Sequence, residues 1–312
     1  MATKVYDGRG IMKFGILFAN TGQMGDPESA LGLAKAAEDL GFESLWASQH
    51  VVIPSGYSSP CPYTANGRMP GGDEMPIPDP LIWLGYVAAV TDRIRLATGA
   101  VIAPLMNPVV LAKQVATLDH LSGGRVDLGI GLGWMREEFE ALGVPFDGRG
   151  PRTDEYIGVM RALWSGNAAT YHGRHIDFDD CIMRPAPHQN SVPIHIGGDS
   201  VAAARRAGRL GDGYLPMTRD AGTLRRLLAE TRNAAAVSDR DMDDIEVTVT
   251  STLIGKNAAA ELEGYRELGV DRILVPAGMF FTDLEAGMRR YRDEVMAPMN
   301  GDHAQTINVP ST

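Results

Sequence analysis

Strand-like apolar segments alternate with helix-like segments eight times along this chain. The first strand-like segment, IMKFGILF, precedes PESALGLAKAAEDLG, whose apolar residues recur at helical spacing and which ends on Gly41. The others are ESLWASQH, RIRLATGAVIAP, RVDLGIGLG, PIHIGG, DGYLPM, DIEVTVTSTL and DRILVPAGM. Such alternation implies parallel strands, and eight units in about 290 residues fit a (β/α)8 TIM barrel of the α/β class. A doubly wound sheet, which needs no closure, is the alternative.

Two segments without periodicity interrupt this alternation. Residues 51–80 follow the second strand and are rich in Pro and Gly, and residues 167–192 come later, between the fourth and fifth strands. Loops this long in a compact domain are usually functional or disordered. We expect the first loop to cover the substrate with Tyr57, Tyr63 and Met69.

We predict one barrel with two loose ends. The barrel spans residues 12–298, a disordered extension precedes it at residues 1–11, and a tail follows at residues 299–312.

Charge and composition argue against several classes of partner. The formal net charge of −10 disfavours nucleic acid, which binds to basic surfaces. No segment approaches the roughly 20 apolar residues of a bilayer span, and the first residues do not resemble a signal peptide. The two cysteines, Cys61 and Cys181, lie far apart, which is typical of a reducing compartment. We expect a cytoplasmic protein that binds neither nucleic acid nor membrane.

The carboxyl ends of the strands are where a barrel of this kind forms its active site. These ends are rich in glycine and apolar residues, and they offer no matched carboxylates, no Schiff-base lysine and no histidine cluster for a metal. His172 and His175 lie in the irregular segment and are interpreted as surface residues. Such a rim suits a flat aromatic cofactor that supplies its own reactivity.

The segment SGGRVDLGIGLGW predicts the floor of that cofactor site. Its GIGLG does not complete the GxGxxG of dinucleotide-binding folds. Because side chains alternate along a strand, Gly129, Gly131 and Gly133 fall on one face, and their bare backbone would let a flat ring approach. The residues expected to line an adjoining apolar substrate pocket are Trp46, Gln49, Trp134 and Met217.

The segment IHIGGDS is the best candidate for a phosphate site. A strand runs into Gly197 and Gly198, and a helix begins near Asp199 or Ser200. Backbone N–H groups uncovered by glycine at a helix start bind anions. An ordinary turn capped by Asp199 or Ser200 is the alternative. We expect the Asp199 carboxylate to point away from a phosphate.

Several segments together resemble the luciferase-like monooxygenase superfamily, and more narrowly its actinobacterial branch that uses the deazaflavin coenzyme F-420. They are MKFGILF, ESLWASQH, RIRLATGAVIAPLMNPVVLAKQVATLDHLSGGRVDLGIGLGWMREEFEALG, RALWSG, PIHIGGDS and GDGYLP. The resemblance covers residues 12–298. It implies a barrel with an insertion after strand four, a cofactor at the carboxyl-terminal mouth, and a homodimer.

The resemblance also implies roles for individual residues. Relatives have a non-proline cis peptide behind the cofactor ring, which matches the bond Ala100–Val101 here. His50 matches a histidine that faces the ring or substrate and would exchange a proton, although Gln49 replaces the usual aspartate. Trp134 stands where sugar-phosphate dehydrogenases have a glutamate, which disfavours their chemistry. The residues expected to bind the cofactor are Ala100, Val101, Gly131, Leu132, Gly133, Gly197, Gly198 and Asp199.

The resemblance therefore implies hydride transfer between coenzyme F-420 and a small, apolar organic substrate. An FMN-dependent monooxygenase of the same fold is one alternative, and a flavin-binding protein without catalytic activity is another. Glu137 and Glu138 are interpreted as favourable charges at the start of the helix that follows Trp134.

Overall fold

Eight parallel strands close into a barrel in the computed structural model, which describes residues 11–255 and 257–301. The described residues form eleven strands, of which β4, β6 and β7 lie outside this ring of eight. In chain order they are β1 (Lys13–Leu17), β2 (Ser44–Ala47), β3 (Arg95–Thr98), β4 (Val101–Ile102), β5 (Val126–Gly131), β6 (Ala169–His172), β7 (Asp177–Cys181), β8 (Ile194–Gly197), β9 (Gly213–Leu215), β10 (Glu246–Thr250) and β11 (Arg272–Pro276). Neighbours pair in the order β3-β2-β1-β11-β10-β9-β8-β5, and pairing of β3 with β5 completes the ring. The predicted TIM barrel is confirmed, and an open doubly wound sheet is excluded.

Helices connect successive strands. They are α1 (Pro27–Asp39), α2 (Pro80–Ala88), α3 (Pro108–Leu121), α4 (Arg136–Ala141), α5 (Arg149–Trp164), α6 (Val201–Leu210), α7 (Ala221–Val237), α8 (Ala258–Glu267), α9 (Leu284–Tyr291) and α10 (Ala297–Asn300). Side-chain caps explain where α2 and α3 begin, because Asp79 and Asn107 each accept two backbone N–H groups and a proline follows each. Within the described residues, no helix is long and apolar enough to cross a bilayer.

The two predicted interruptions take different forms. Residues 51–79 contain neither helix nor strand. The segment 167–192, predicted to be irregular, carries an antiparallel hairpin of β6 and β7. His172 lies on this hairpin, with Nδ1 3.0 Å from Asp177 and Nε2 3.4 Å from Asp179, and both it and His175 are exposed.

The last helix belongs to the barrel. Met299 is buried, and Asn300 exchanges two hydrogen bonds with the backbone of Met12, at 2.8 and 3.0 Å. The first two residues of the predicted tail, Met299 and Asn300, therefore pack against the barrel. The predicted N-terminal extension, apart from Ile11, and the tail beyond Gly301 lie outside the described residues.

Charged side chains fill the amino-terminal end of the barrel interior. Arg272 is 1% exposed and makes a bidentate pair with Glu43, at 2.8 and 2.9 Å, and a 2.6 Å bond to Glu246. Arg95 donates twice to Asp127, both at 2.6 Å. Burial raises the pKa of Asp127, but the hydrogen bonds from Arg95 more than offset this and hold that pKa well below its usual range. Each buried charge is therefore paired.

An apolar layer lies above these charges, toward the carboxyl ends of the strands. Its buried members are Leu17, Trp46, Ala97, Leu215 and Leu274, and Phe18 and Met217 pack against them with part of their surface exposed. The Trp46 ring meets the charged layer, with its centroid 5.3 Å from the Arg272 guanidinium and 5.3 Å from the His195 ring. The interior is thus packed from its base up to Trp46.

We predict that Asp127→Asn lowers the free energy of unfolding by about 2–4 kcal/mol, because it leaves the largely buried Arg95 without its carboxylate. Since the pKa of Asp127 is lowered in the folded state, its stabilisation is complete above about pH 4 and is lost as the pH falls further. Urea unfolding at several pH values measures both effects. Asp147→Asn, which removes a carboxylate that is 87% exposed, is the control. Equal stability of the two variants would contradict the prediction.

Candidate functional site

Bare backbone forms an open patch at the mouth of the barrel. Gly131 ends β5, Gly197 ends β8, and Ala100 lies between β3 and β4. A Cβ added to Gly131 would meet only the Ala100 methyl group, at 3.6 Å, and one added to Gly197 would lie 3.3 Å from the Ile130 carbonyl oxygen and 4.0 Å from the same methyl group. We call Ala100, Gly131 and Gly197 the floor. It is a surface on which a planar ring can rest, and which larger side chains would occupy.

The other two glycines of the GIGLG segment have different roles. A Cβ on Gly129 would lie 1.9 Å from the Thr98 carbonyl oxygen and 3.3 Å from the Trp46 ring, so this glycine permits packing inside the barrel. Gly133 has φ +76°, and a Cβ there would lie 2.7 Å from Ile102. Gly129 therefore does not belong to the floor, whereas Gly133 keeps part of its surface exposed, and cofactor binding by Gly133 stays a prediction.

The cis peptide bond lies one position earlier than expected. It joins Gly99 to Ala100, whereas the resemblance had pointed to Ala100–Val101. β3 ends at Thr98, and Val101 already pairs with Ile130 as part of β4, so the interruption of the strand falls on Gly99 and Ala100. Val101 is fully buried among core side chains. It cannot contact a ligand at the mouth, and this part of the prediction is corrected.

Two residues predicted for the substrate pocket are buried in structural roles. Trp46 has no exposed surface, and its Nε1 donates to Ser44 Oγ at 2.8 Å. Gln49 is 6% exposed, and its Oε1 accepts from the backbone N–H of Ile102 at 2.7 Å. Trp46 therefore lies beneath the mouth, and Gln49 ties the end of β2 to β4. Neither side chain lines a pocket.

A buried carboxylate holds His50 at the end of β2. Glu138 is 1% exposed, its Oε2 lies 2.9 Å from His50 Nδ1, and its Oε1 accepts from the Val51 N–H at 2.6 Å. A carboxylate acceptor places the proton of a neutral imidazole on Nδ1, which leaves Nε2 able to exchange a proton with a ligand. Glu138 had been interpreted only as a helix-terminal charge. No local pattern in the sequence indicates this contact, since 88 positions separate the two residues.

Trp134 lies between His50 and the loop 51–80. Its ring makes edge-to-face contacts with His50, at 5.8 Å, and with Tyr57, at 5.6 Å. Tyr57, Met69 and Met135 form a small buried core beneath the loop. Tyr57 and Met69 were expected to cover a substrate, but they instead fasten the loop. Trp134 keeps part of its surface exposed, as a pocket wall requires.

Glu137 fixes the same loop at a second point. Its Oε1 accepts from the Ser58 N–H at 2.7 Å, from Ser58 Oγ at 2.8 Å and from the Ser59 N–H at 3.1 Å, and Ser59 Oγ accepts from the Arg136 N–H. These hydrogen bonds, led by that of the Ser58 backbone, lower the pKa of Glu137 to about 2. Adjacent carboxylates on α4 thus bind the loop, and one of them also binds His50.

The turn after β8 is capped as an ordinary helix start. Ser200 Oγ accepts from the Ala203 N–H at 3.1 Å, which is the capping that the sequence offered as an alternative to an anion site. Gly198 has φ +123°, in a region where side chains are rarely found. The Gly198 N–H donates to the Leu215 carbonyl oxygen at 3.2 Å, so this donor is already used. Phosphate binding at the turn of Gly197 and Gly198 stays a prediction.

Asp199 is directed toward the loop that follows β9. Its Oδ1 accepts from the N–H groups of Met217, at 2.7 Å, and Thr218, at 3.0 Å. Tyr63 is half exposed, and burial of the remainder together with the Asp199 carboxylate raises the pKa of Tyr63 to about 12. The loop 51–80 therefore reaches from the end of β2 toward the end of β8.

Ten of the predicted site residues retain exposed surface at or beside the ends of the strands. They are His50, Ala100, Gly131, Leu132, Gly133, Trp134, Gly197, Gly198, Asp199 and Met217. The described residues contain no group of three or more His, Cys, Asp or Glu side chains placed to hold a metal.

Comparison with known proteins identifies related sequences. The family model of the luciferase-like monooxygenases matches residues 12–304. An uncharacterised protein of Mycobacterium tuberculosis is 35% identical over 210 residues, which cover 67% of this chain and 73% of that protein. An F-420-dependent glucose-6-phosphate dehydrogenase of Beutenbergia cavernae is 34% identical over 233 residues, which cover 72% of this chain and 63% of that enzyme.

Solved structures share the fold. The coenzyme F-420-dependent tetrahydromethanopterin reductase of Methanopyrus kandleri has a TM-score of 0.73 at 18% identity, over 93% of this chain and 99% of that one. An F-420-dependent secondary alcohol dehydrogenase in complex with an F-420–acetone adduct has a TM-score of 0.75, also at 18% identity, over the same shares of both chains. At these identities the likeness establishes the barrel fold alone.

We predict that Glu137→Gln loosens the loop 51–80, because a neutral amide accepts the serine hydrogen bonds more weakly than a carboxylate. Tryptic cleavage after Arg68 should accelerate roughly fivefold to tenfold. Since the pKa of Glu137 is lowered to about 2, protection in the native chain should persist to about pH 4 and be lost at lower pH.

Glu140→Gln, an exposed position on the same helix, is the matched control and should leave the cleavage rate unchanged. If both variants are cleaved at the native rate, Glu137 does not hold the loop.

Proposed function

The chain belongs to the luciferase-like monooxygenase family, and on that premise we propose that it transfers a hydride between coenzyme F-420 and a small organic substrate. The observation that carries the proposal is the floor of Ala100, Gly131 and Gly197, where a Cβ on Gly131 would meet only the Ala100 methyl group, at 3.6 Å, and one on Gly197 would lie against the Ile130 carbonyl oxygen, at 3.3 Å. The relatives and structural neighbours named for F-420 support the choice of cofactor over FMN.

The floor would support one face of the deazaflavin ring, and the turn at Gly197 and Gly198 would hold the phosphate through N–H groups other than that of Gly198, which donates to the Leu215 carbonyl oxygen at 3.2 Å. When bound, coenzyme F-420 supplies the carbon that accepts or donates the hydride. The protein contributes position and shape. Because the apolar layer is packed up to Trp46, the ring cannot sink into the barrel, and the substrate must approach from the outer side.

His50 is the residue we propose for proton exchange with the substrate. Oxidation of a substrate by hydride loss also releases a proton, and reduction consumes one. Glu138 fixes the Nδ1–H of His50, so Nε2 is the atom that takes up or delivers this proton. Glu138 is a positioning residue in this scheme, because the His50 ring lies between it and a ligand.

We infer an apolar substrate from the side chains that keep exposed surface around the floor. Trp134, Met217 and Phe18 are partly exposed there. A bare phosphate or sugar would find few partners on such a surface, whereas an apolar molecule would bury area against it.

We further infer a cytoplasmic homodimer. α2 exposes Ile82 to 75% and Tyr86 to 45%, and these residues lie one helical turn apart on the same face. A second copy of the chain would cover this apolar stripe. Cys61 and Cys181 are both free thiols, which fits a reducing compartment.

The first prediction concerns the floor. Gly131→Val should weaken binding of F-420 at least tenfold, because the added methyl groups occupy the place of the ring. Thermal stability should be unchanged, since a Cβ at this position meets only an ordinary contact. Fluorescence titration with F-420 and with FMN measures the effect, and Gly264→Val on α8 is the control.

Tighter binding of FMN than of F-420, followed by oxygen uptake of the reduced complex, would favour a monooxygenase. Undiminished F-420 binding by Gly131→Val would show that the ring lies elsewhere.

The second prediction concerns the proton. His50→Gln should lower kcat about 100-fold while the affinity for F-420 stays the same. Glu138→Gln should lower kcat by a smaller factor, because it loosens the imidazole without removing it. Steady-state kinetics with a substrate that the native chain turns over measure kcat and KM of the two variants. If kcat is unchanged and only KM rises, His50 contributes to binding and not to proton transfer.

A further inference from the structure

Four arginines meet beside the floor, where α5 begins. Gly150 marks the junction, because a Cβ there would lie 3.1 Å from Nη2 of Arg206 and 3.8 Å from Cδ2 of Leu132. Leu132 directly follows Gly131 of the floor. We call Arg136, Arg149, Arg152 and Arg206 the arginine cluster. Through Gly150 and Leu132 the cluster adjoins the floor.

The positive charges of the cluster are held close to one another. The guanidinium carbons of Arg136 and Arg149 lie 4.3 and 3.7 Å from the centroid of the Phe146 ring. Burial lowers the pKa of Arg149; the Asp147 carboxylate opposes this, and the nearby charges of Arg136 and Arg152 add to the lowering. A folded chain holds like charges together in this way at a cost that a bound anion would remove.

Two N–H groups of the cluster have no acceptor in the described part of the chain, although Nη1 of Arg149 donates to the Phe146 carbonyl oxygen at 3.3 Å and Nη2 of Arg152 to that of Pro145 at 2.6 Å. Nε of Arg149 and Nε of Arg152 are buried without a hydrogen-bond partner, and Arg152 is 5% exposed. The side chain of Arg206 is 7% exposed and bonds Asp154 through Nε, which leaves Nη2 directed toward Gly150. Buried donors of this kind are normally satisfied, so the cluster is incomplete without a further acceptor.

The local charge balance is opposite to that of the chain. Besides the cluster, Arg209 also pairs with Asp154, while Asp147 pairs with Arg136, so five positive charges meet two negative ones. The whole chain carries a net charge of −10. A positive excess confined to this point favours an anionic ligand with more than one charge.

We infer that the arginine cluster binds the negatively charged tail of coenzyme F-420 while the floor holds its ring; this rests on the proposed function. The proposed function places the phosphodiester of the tail at the turn of Gly197 and Gly198, and the glutamate carboxylates that follow it would reach the cluster, because guanidinium groups bind carboxylates in bidentate fashion. FMN ends in a single phosphate and would satisfy fewer of these donors. The cluster would therefore make the site bind F-420 more tightly than FMN.

Calorimetric titration of the full chain with F-420, and with the tailless deazaflavin that lacks phosphate and glutamates, tests this inference. Arg149→Gln should weaken F-420 binding about tenfold and leave the tailless compound unaffected. Arg205→Gln removes an exposed arginine of α6 that pairs with Glu230, and it should change neither affinity. Raising the salt concentration should weaken F-420 binding more in the native chain than in Arg149→Gln.

Three results would overturn the inference. If Arg149→Gln weakens binding of F-420 and of the tailless compound equally, Arg149 lies under the ring. If the native chain binds the two compounds with equal affinity and equal salt dependence, the tail is not bound. In both cases the proposed function stands. If the native chain binds neither compound, the proposed function fails with the inference. Should Arg149→Gln not fold, the salt dependence of the two ligands in the native chain decides.

Discussion

Trp46 determines how deeply a ligand can enter the mouth of the barrel, and therefore where the site above it lies. Its indole fills the interior between the paired charges below and the floor above, and together with the Thr98 carbonyl oxygen it leaves no room for a side chain at Gly129. The arginine and carboxylate side chains beneath it are satisfied by one another, so the base of the barrel is closed and rigid. A ligand can bind only above the indole, where Ala100, Gly131 and Gly197 leave the backbone bare.

α4 connects the chemistry of this mouth to its cover. Glu138 holds His50 in one tautomer and also fixes the first residue of the loop 51–80, while Glu137 fixes the loop at Ser58. Trp134 packs between the histidine and the loop. A movement of α4 would therefore shift His50, the residue proposed for proton exchange, together with the loop 51–80.

The fold could be predicted from the sequence because hydrophobic periodicity is a local property, and all eight barrel strands are apolar runs separated by helical patterns. The floor was predicted in part, since alternation along β5 assigns a face but not a depth, and Gly129 lies one layer too low. Gln49 and Trp46 were misplaced because a polar or aromatic residue near a strand end can face the mouth or the interior. The contacts of Glu138 and the arginine cluster join segments far apart in the chain, and no spacing rule reveals such pairs.

A structure of the chain with bound F-420 tests the central claim most directly. The account predicts the deazaflavin ring within van der Waals contact, about 4 Å, of the Ala100 methyl group and of the Gly131 and Gly197 backbone, with Trp46 unmoved beneath it. A ring bound away from these three residues, or one that displaces Trp46 to enter the barrel, would contradict it.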